Sequence, residues 1–207
     1  MQKTILYYVY DPMCSWCWGY RDTWLKLSDA LTAQGIEVRY QLGGLAPDSD
    51  QVMPLALQQT LQGIWRKIQD QLGTQFNFDF WTECQPQRST YPACRACLIA
   101  RKEGKEKEML FAIQQAYYLG AKNPSLIEVL AELAETIGFE RDTFAAQLID
   151  SELNKQLMEE ITQSRQLPIQ GFPSLVLSID NQLVPIGLDY KNWQNTYTQI
   201  TKVIEQI

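Results

Sequence analysis

The segment Asp11-Pro12-Met13-Cys14-Ser15-Trp16-Cys17-Trp18-Gly19 decides how the rest of the chain is read. Before it, Thr4 to Tyr10 is apolar and aromatic, with β-branched Ile5 and Val9. Asp11-Pro12 stops that run, which is the pattern of a buried strand entering a turn. After it, Trp18, Trp24, Leu25, Leu27 and Leu31 fall at roughly helical intervals until Gly35. A Cys-x-x-Cys pair therefore opens a helix that follows a strand. A helix N-terminus offers unpaired N–H groups and a positive dipole end, and both stabilise a thiolate. The spacing brings the second sulfur back within one turn, at a separation a disulfide can close. Cys14 is accordingly the expected exposed nucleophile, and Cys17 the more buried resolving thiol.

Working outward, Ile36 to Leu42 resembles a second strand closed by Gly43-Gly44, so the chain begins β-α-β. Leu57, Leu61, Ile64, Ile68 and Leu72 follow the spacing of an amphipathic helix. Pro92 suits the first turn of a helix reaching about Lys102, and Glu106 to Leu119 continues the helical pattern. Asn123-Pro124 reads as cap and first turn for Leu126 to Ile137, with Gly138 just past its end. Arg141 to Ile149 and Ser151 to Gln166 follow, the last halted by Pro168. The charge run from Lys102 to Glu108 reads as a solvated connection.

Strand character returns after Gly171-Phe172-Pro173. Ser174 to Ile179 and Gln182 to Ile186 flank the turn dipeptide Asp180-Asn181 as a hairpin. A closing helix from about Asp189 carries Trp193, Tyr197, Ile200 and Ile204 on one face. The predicted class is α/β: β-α-β, a helical block, then β-β-α. Residues 1–48 and 168–207 form one expected domain, and 49–167 an inserted helical one.

The 207 residues are 45% hydrophobic and 20% charged, ordinary values for a globular protein. With 18 basic and 24 acidic side chains the formal charge is −6, which argues against nucleic acid or an anionic membrane as the partner. No apolar run approaches the ~20 residues of a membrane helix. Met1-Gln2-Lys3 passes directly into the first apolar run without a small-residue cleavage site, so a cytoplasmic protein without a signal peptide is expected. The five cysteines cannot all pair within one chain, and in that compartment Cys-x-x-Cys spacings suggest redox or metal chemistry. The chain has no histidine, which removes Cys-His and Ser-His catalysis and every imidazole metal site.

The element order, the Cys14–Cys17 motif and the later Gly171-Phe172-Pro173 resemble the thioredoxin superfamily with its thioredoxin fold. The large helical insertion resembles the DsbA-like branch. Residues Asp11 to Gly19 resemble the FrnE-type group, which is related to 2-hydroxychromene-2-carboxylate isomerases and kappa-class glutathione transferases. The glutathione-dependent relatives carry serine where this chain has Cys14, and that departure favours thiol–disulfide chemistry. The resemblance implies a thiol–disulfide oxidoreductase, protein disulfide isomerase-like, with Cys14, Cys17 and Pro173 as catalytic residues. It also implies a cis Phe172–Pro173 bond beside the cysteines. Dithiol–disulfide exchange requires no metal and no organic cofactor, with glutathione as a candidate redox partner. The expected substrate is a disulfide-containing protein or a small thiol. Two other classes remain open: a glutathione-dependent isomerase or transferase, and a redox-regulated binding or chaperone-like module.

Trp16, Trp18 and Phe172 are the candidate substrate-binding residues, with Trp81 a further candidate and Trp24, Trp65 and Trp193 expected in the core. Cys94-Arg95-Ala96-Cys97 is a second Cys-x-x-Cys near a predicted helix start. It is geometrically able to form an auxiliary redox pair, although buried free cysteine commonly behaves as a small hydrophobe. Cys84 is expected to be inert. Arg95 and Arg101 are candidates for a substrate carboxylate, with solvated helix faces the simpler expectation.

Overall fold

The computed structural model describes residues 3–206, and the Met1-Gln2 opening used above lies outside them. Strand β1 (Thr4–Tyr10) is hydrogen-bonded on both sides. It runs parallel to β2 (Glu37–Leu42), with Tyr10 opposite Leu42, and antiparallel to β3 (Ser174–Ile179), with Val9 opposite Ser174. Strand β4 (Gln182–Ile186) completes the order β2-β1-β3-β4 and carries Pro185 at the edge, where a missing N–H does least harm. Asp180 and Asn181 have φ of 47° and 72°, the left-handed pair that a two-residue hairpin turn requires.

Helix α1 (Ser15–Ala33) crosses from β1 to β2 and packs against the closing helix α9 (Trp193–Gln206). Between β2 and β3 lie α2 (Leu55–Leu72), a single turn α3 (Phe80–Glu83), α4 (Tyr91–Lys102), α5 (Glu106–Tyr118), α6 (Ile127–Thr136), α7 (Arg141–Leu148) and α8 (Ser151–Gln166). The α3 turn was not expected; it inserts Phe80 against Trp65 and Tyr117 in an aromatic cluster. Asn123 does not cap α6. Its Oδ1 accepts from Ser125 N in a turn that Leu126 N closes by donating to Asn123 O, and the helix begins only at Ile127. Asp189 likewise closes a turn, accepting from Lys191 N and Asn192 N, and α9 begins only at Trp193.

At its C-terminal end the outer edge of β2 is covered by side chains of α8 instead of a strand. Leu42 N donates to Glu160 Oε1 at 2.7 Å, and Ser164 Oγ donates to Leu42 O at 2.6 Å. Such cover satisfies an edge that would otherwise template another chain. Leu6, Tyr8 and Trp24 from the sheet and α1 join Trp65, Ile113 and Leu157 from the helical block in one hydrophobic cluster. Each such side chain contributes roughly 1.5–3 kcal/mol by burial. No helix of the described residues is long and apolar enough to cross a membrane.

The arginines of α4 correct the expectation of solvated faces. α4 is buried from Tyr91 to Ala100 because α5, α6, α7 and α8 surround it. Arg95 is only 7% exposed and holds Asp48 with two nitrogens, at 2.8 and 2.7 Å. Arg101 lies between Glu106 (2.6 Å) and Glu160 (2.7 Å). Neither guanidinium is free for a ligand.

Candidate functional site

β1 delivers the chain into a turn in which Cys14 N donates to Asp11 O at 3.1 Å and Met13 N to Asp11 Oδ1 at 2.8 Å. Cys14 follows with extended backbone (φ −80°, ψ 115°), the residue immediately before α1, so its side chain sits at the helix N-terminus. In the thiol form it makes no capping bond to the first turn. Its Sγ donates instead to the Phe172 carbonyl at 3.3 Å.

Cys14 is only 6% exposed and Cys17 1%. The order of burial matches the sequence reading, but the openly exposed Cys14 does not: Met13, Trp16 and Phe172 close round it, leaving access through a cavity. Both thiols are free. Burial, and then the Cys14 thiol beside it, push the Cys17 thiol well above its ordinary range.

The Phe172–Pro173 bond is cis, and the loop lies against Cys14 as expected. Gly43 makes this approach feasible, since a Cβ there would stand 2.0 Å from Phe172 Cε1. The glycine pair read as a strand terminator thus also admits an aromatic ring.

Asp11, read from sequence only as a turn residue, is fully buried and ties three segments together behind the motif. Besides Met13 N, its carboxylate accepts from Leu45 N (2.6 Å), Thr90 Oγ (2.7 Å) and the Cys94 thiol (3.6 Å). Burial raises its pKa above the ordinary 3.8, with these donors opposing the rise. A charged residue interrupting an apolar strand end was the available signal.

The cavity onto which Cys14 opens measures about 190 Å³ and includes Met13, Trp16, Trp65, Arg88 and Phe172 in its walls. Arg88 is half-buried and forms no ion pair or side-chain hydrogen bond with the described residues. It is a cation in an otherwise largely apolar wall that sequence reading missed. Trp16 and Phe172 are thus brought to Cys14. Trp18 is not: it stacks on Tyr118 at 5.6 Å and donates Nε1 to Gln75 O. Trp81 packs on Trp65 at 4.9 Å outside the cavity, while Trp65 is both core and cavity wall. An open cleft of about 850 Å³ between β2 and α8 carries no thiol, and within it Arg101 is paired with Glu160 and Glu106.

Cys94 and Cys97 are wholly buried free thiols inside α4. Burial pushes both upward, and Cys94 donates to Asp11, so in this state they pack as small core residues. Cys84 Sγ donates to Ala121 O at 2.9 Å. Among the described residues no cluster of three or more Cys, Asp or Glu side chains converges as a metal site would require.

Chemically, the arrangement places one sulfur at a helix N-terminus facing a small apolar cavity, with a second sulfur one turn behind it. Such a pair can attack a disulfide and then close on itself.

Comparison with known proteins agrees with the fold. The model of the DSBA-like thioredoxin domain matches residues 5–198. A structure from Nitrosomonas europaea, described as a protein disulfide isomerase candidate, superposes with a TM-score of 0.84 at 23% identity, covering 99% of this chain and 98% of that one. The cytosolic disulfide reductase DsbM from Pseudomonas aeruginosa gives 0.77 at 24% identity, covering 98% and 100%, and it has also been solved with GSH. The ClpXP adapter protein SpxH of Halalkalibacterium halodurans is 22% identical over 182 residues, 85% of this chain. The chain spans 59% of the length of that curated relative.

Proposed function

The chain belongs to the DSBA-like thioredoxin domain family, and from that premise we propose that it is a thiol–disulfide oxidoreductase working through Cys14 and Cys17. The observation that carries the reading is the Cys14 sulfur at the start of α1, facing an apolar cavity and the Phe172 carbonyl at 3.3 Å. In the reducing direction the Cys14 thiolate attacks a substrate disulfide, releasing one substrate thiolate and forming a mixed disulfide. Cys17 then attacks Cys14 Sγ, releasing the second substrate sulfur and leaving the Cys14–Cys17 disulfide. Oxidation of a substrate dithiol runs the same steps backwards. The two electrons reside on the dithiol, so the reading requires no resident metal or organic cofactor.

A cavity of about 190 Å³ is below the roughly 300–1,000 Å³ usual for ligand pockets, and suits one side chain or a small thiol beside the attacked sulfur. The substrate is then a disulfide-bearing polypeptide or a low-molecular-weight thiol disulfide, with glutathione as a redox partner. Pro173 and Phe172 set the backbone against which the substrate lies, and Trp16 forms the apolar flank. The DsbM likeness supports a cytoplasmic setting. The test is insulin-disulfide reduction with mass-spectrometric thiol mapping: turnover with oxidation of Cys14 and Cys17 supports the reading, and turnover independent of both opposes it.

A binding-module reading draws on the SpxH likeness and on exposed Val52 and Leu55 next to Met53, which lines the cavity. Substrate capture without turnover in the same assay would favour it.

A further inference from the structure

The two sulfurs of the motif open onto different cavities. Cys14 lines the front cavity with Trp16 and Phe172, and Cys17 is absent from its walls. Cys17 lines a second cavity of about 220 Å³ on the other side, and Cys14 is absent from that one. Tyr8 and Gln114 stand with Cys17 in the walls of this rear cavity, and exposed Lys107 and Glu108 border it toward solvent. At a liquid share of about 30 Å³ per molecule, the rear cavity has room for several waters. Gln114 is 2% exposed, yet its amide makes no side-chain hydrogen bond to the described residues. Neither amide atom is among the fully buried polar atoms left without a partner, so the amide reaches solvent, and the cavity it lines has space for water.

Resolution poses a specific problem for Cys17. Its thiol must lose a proton as it attacks, and during that step the substrate fills the front cavity. The chain offers no imidazole. Asp11 lies close, but its two oxygens are occupied by Met13 N, Leu45 N, Thr90 Oγ and Cys94. Tyr118 and Tyr190 also face the cysteines, and neither lines the rear cavity. Tyr8, on β1, does line it beside Cys17, which is also one of the groups acting on its phenol.

Resting on the thiol–disulfide reading above, we propose that the rear cavity is the proton exit of Cys17, with the Tyr8 hydroxyl as its first station and Gln114 holding the water that follows. As Cys17 Sγ bonds to Cys14 Sγ, the bond from Cys14 Sγ to the substrate sulfur breaks and the substrate leaves as thiolate. The Cys17 proton passes to the Tyr8 oxygen while Tyr8 gives its own to cavity water. The dithiol has then lost two electrons and the substrate disulfide has gained them. Burial, together with the neighbouring Cys17 and Tyr40 groups, raises the Tyr8 pKa, so the phenol stays neutral and relays without ionising.

The test follows both thionitrobenzoate releases from 5,5′-dithiobis(2-nitrobenzoate) by stopped flow, in a Cys84→Ser background. The first release reports attack by Cys14 and the second reports resolution by Cys17. Tyr8→Phe and Gln114→Leu are expected to leave the first phase intact and slow the second by about tenfold. That is less than the roughly 10²-fold typical of a general acid–base group, because water still enters. The solvent deuterium isotope effect on the second phase should rise. An unchanged second phase in both variants, or equal slowing of both phases, overturns the proton route. A chain with intact Tyr8 and Gln114 that shows no Cys14-dependent first release overturns the oxidoreductase reading instead.

Discussion

The Cys14 Sγ and the Phe172 carbonyl oxygen, 158 residues apart in sequence, lie 3.3 Å apart with the thiol donating. This contact belongs to the protonated thiol. A thiolate has no proton to give, so deprotonation leaves the carbonyl oxygen without its donor, beside the cavity that both residues line. On the proposed mechanism it would there accept a substrate N–H. The same event thus readies the sulfur and the backbone beside it.

Gly43 holds the ring of Phe172 in place by having no side chain. Gly43→Ala sets a Cβ 2.0 Å from the ring, well inside contact distance, so the ring and its loop must shift. The expected cost is about 1–3 kcal/mol, as for other overpacked sites, together with a slower reaction of Cys14. Urea denaturation and the first thionitrobenzoate release measure the two effects. A variant with unchanged stability and rate would show that the ring position is immaterial.

Asp11→Asn replaces an oxygen that receives only donors with an amide group that is itself a donor. At least one buried partner, Leu45 N or Met13 N, loses its acceptor, at an expected cost of roughly 1–3 kcal/mol. The pH dependence has a definite sign. The carboxyl pKa is raised in the folded protein above the ordinary 3.8, so its stabilisation is complete below 3.8 and declines as pH rises through the folded value. Asparagine does not titrate. The deficit of the variant should therefore shrink as pH rises through that window, as read by denaturant midpoints. A deficit that grows with pH there contradicts the raised value.

The sequence was most legible where a strong period met a strong turn signal. Ser174–Ile179, Gln182–Ile186 and Ser151–Gln166 appear with the expected bounds, the first two fixed by Asp180-Asn181 and the last by Pro168. The placement of Cys14 and Cys17 at the head of α1 was legible because strand, spacing and helix coincide. Asp11 was not, because its partners Leu45, Thr90 and Cys94 come from distant segments and a lone Asp before Pro reads as a turn. The arginines of α4 misled because that helix is built of small residues, Ala93, Cys94, Ala96 and Cys97, which let neighbours approach on every side. A helix buried all round shows no clear polar face.

Arg101→Ala leaves Glu106 and Glu160 together without their shared cation, each side chain only 12% exposed. The Arg101 side chain is itself 34% exposed, so the expected loss is about 1–3 kcal/mol, below the scale for a fully buried pair. Arg101→Lys restores the charge without the fork that spans both carboxylates, so it should recover only part. Denaturant midpoints check both, and a loss within error for Arg101→Ala would mean that the network is solvated.

Arg88 is the cation in the wall of the Cys14 cavity. Arg88→Glu should raise KM about tenfold for peptide disulfides with an acidic residue beside the cysteine, and lower it for basic ones, in line with charge-assisted contacts of about 1.5 kcal/mol. Equal KM values for acidic and basic peptides in both proteins would remove Arg88 from substrate selection.

The most direct measurement of the dithiol mechanism is trapping. Cys17→Ala, with Cys94 and Cys97 replaced by serine, is incubated with a disulfide-bearing protein, and adducts are mapped by mass spectrometry after a non-reducing gel. Removing the resolving thiol prolongs the mixed disulfide. The expected result is a dithiothreitol-sensitive adduct through Cys14 alone, absent from Cys14→Ala. Full insulin-reductase activity in Cys14→Ala, or adducts through another cysteine, would contradict it.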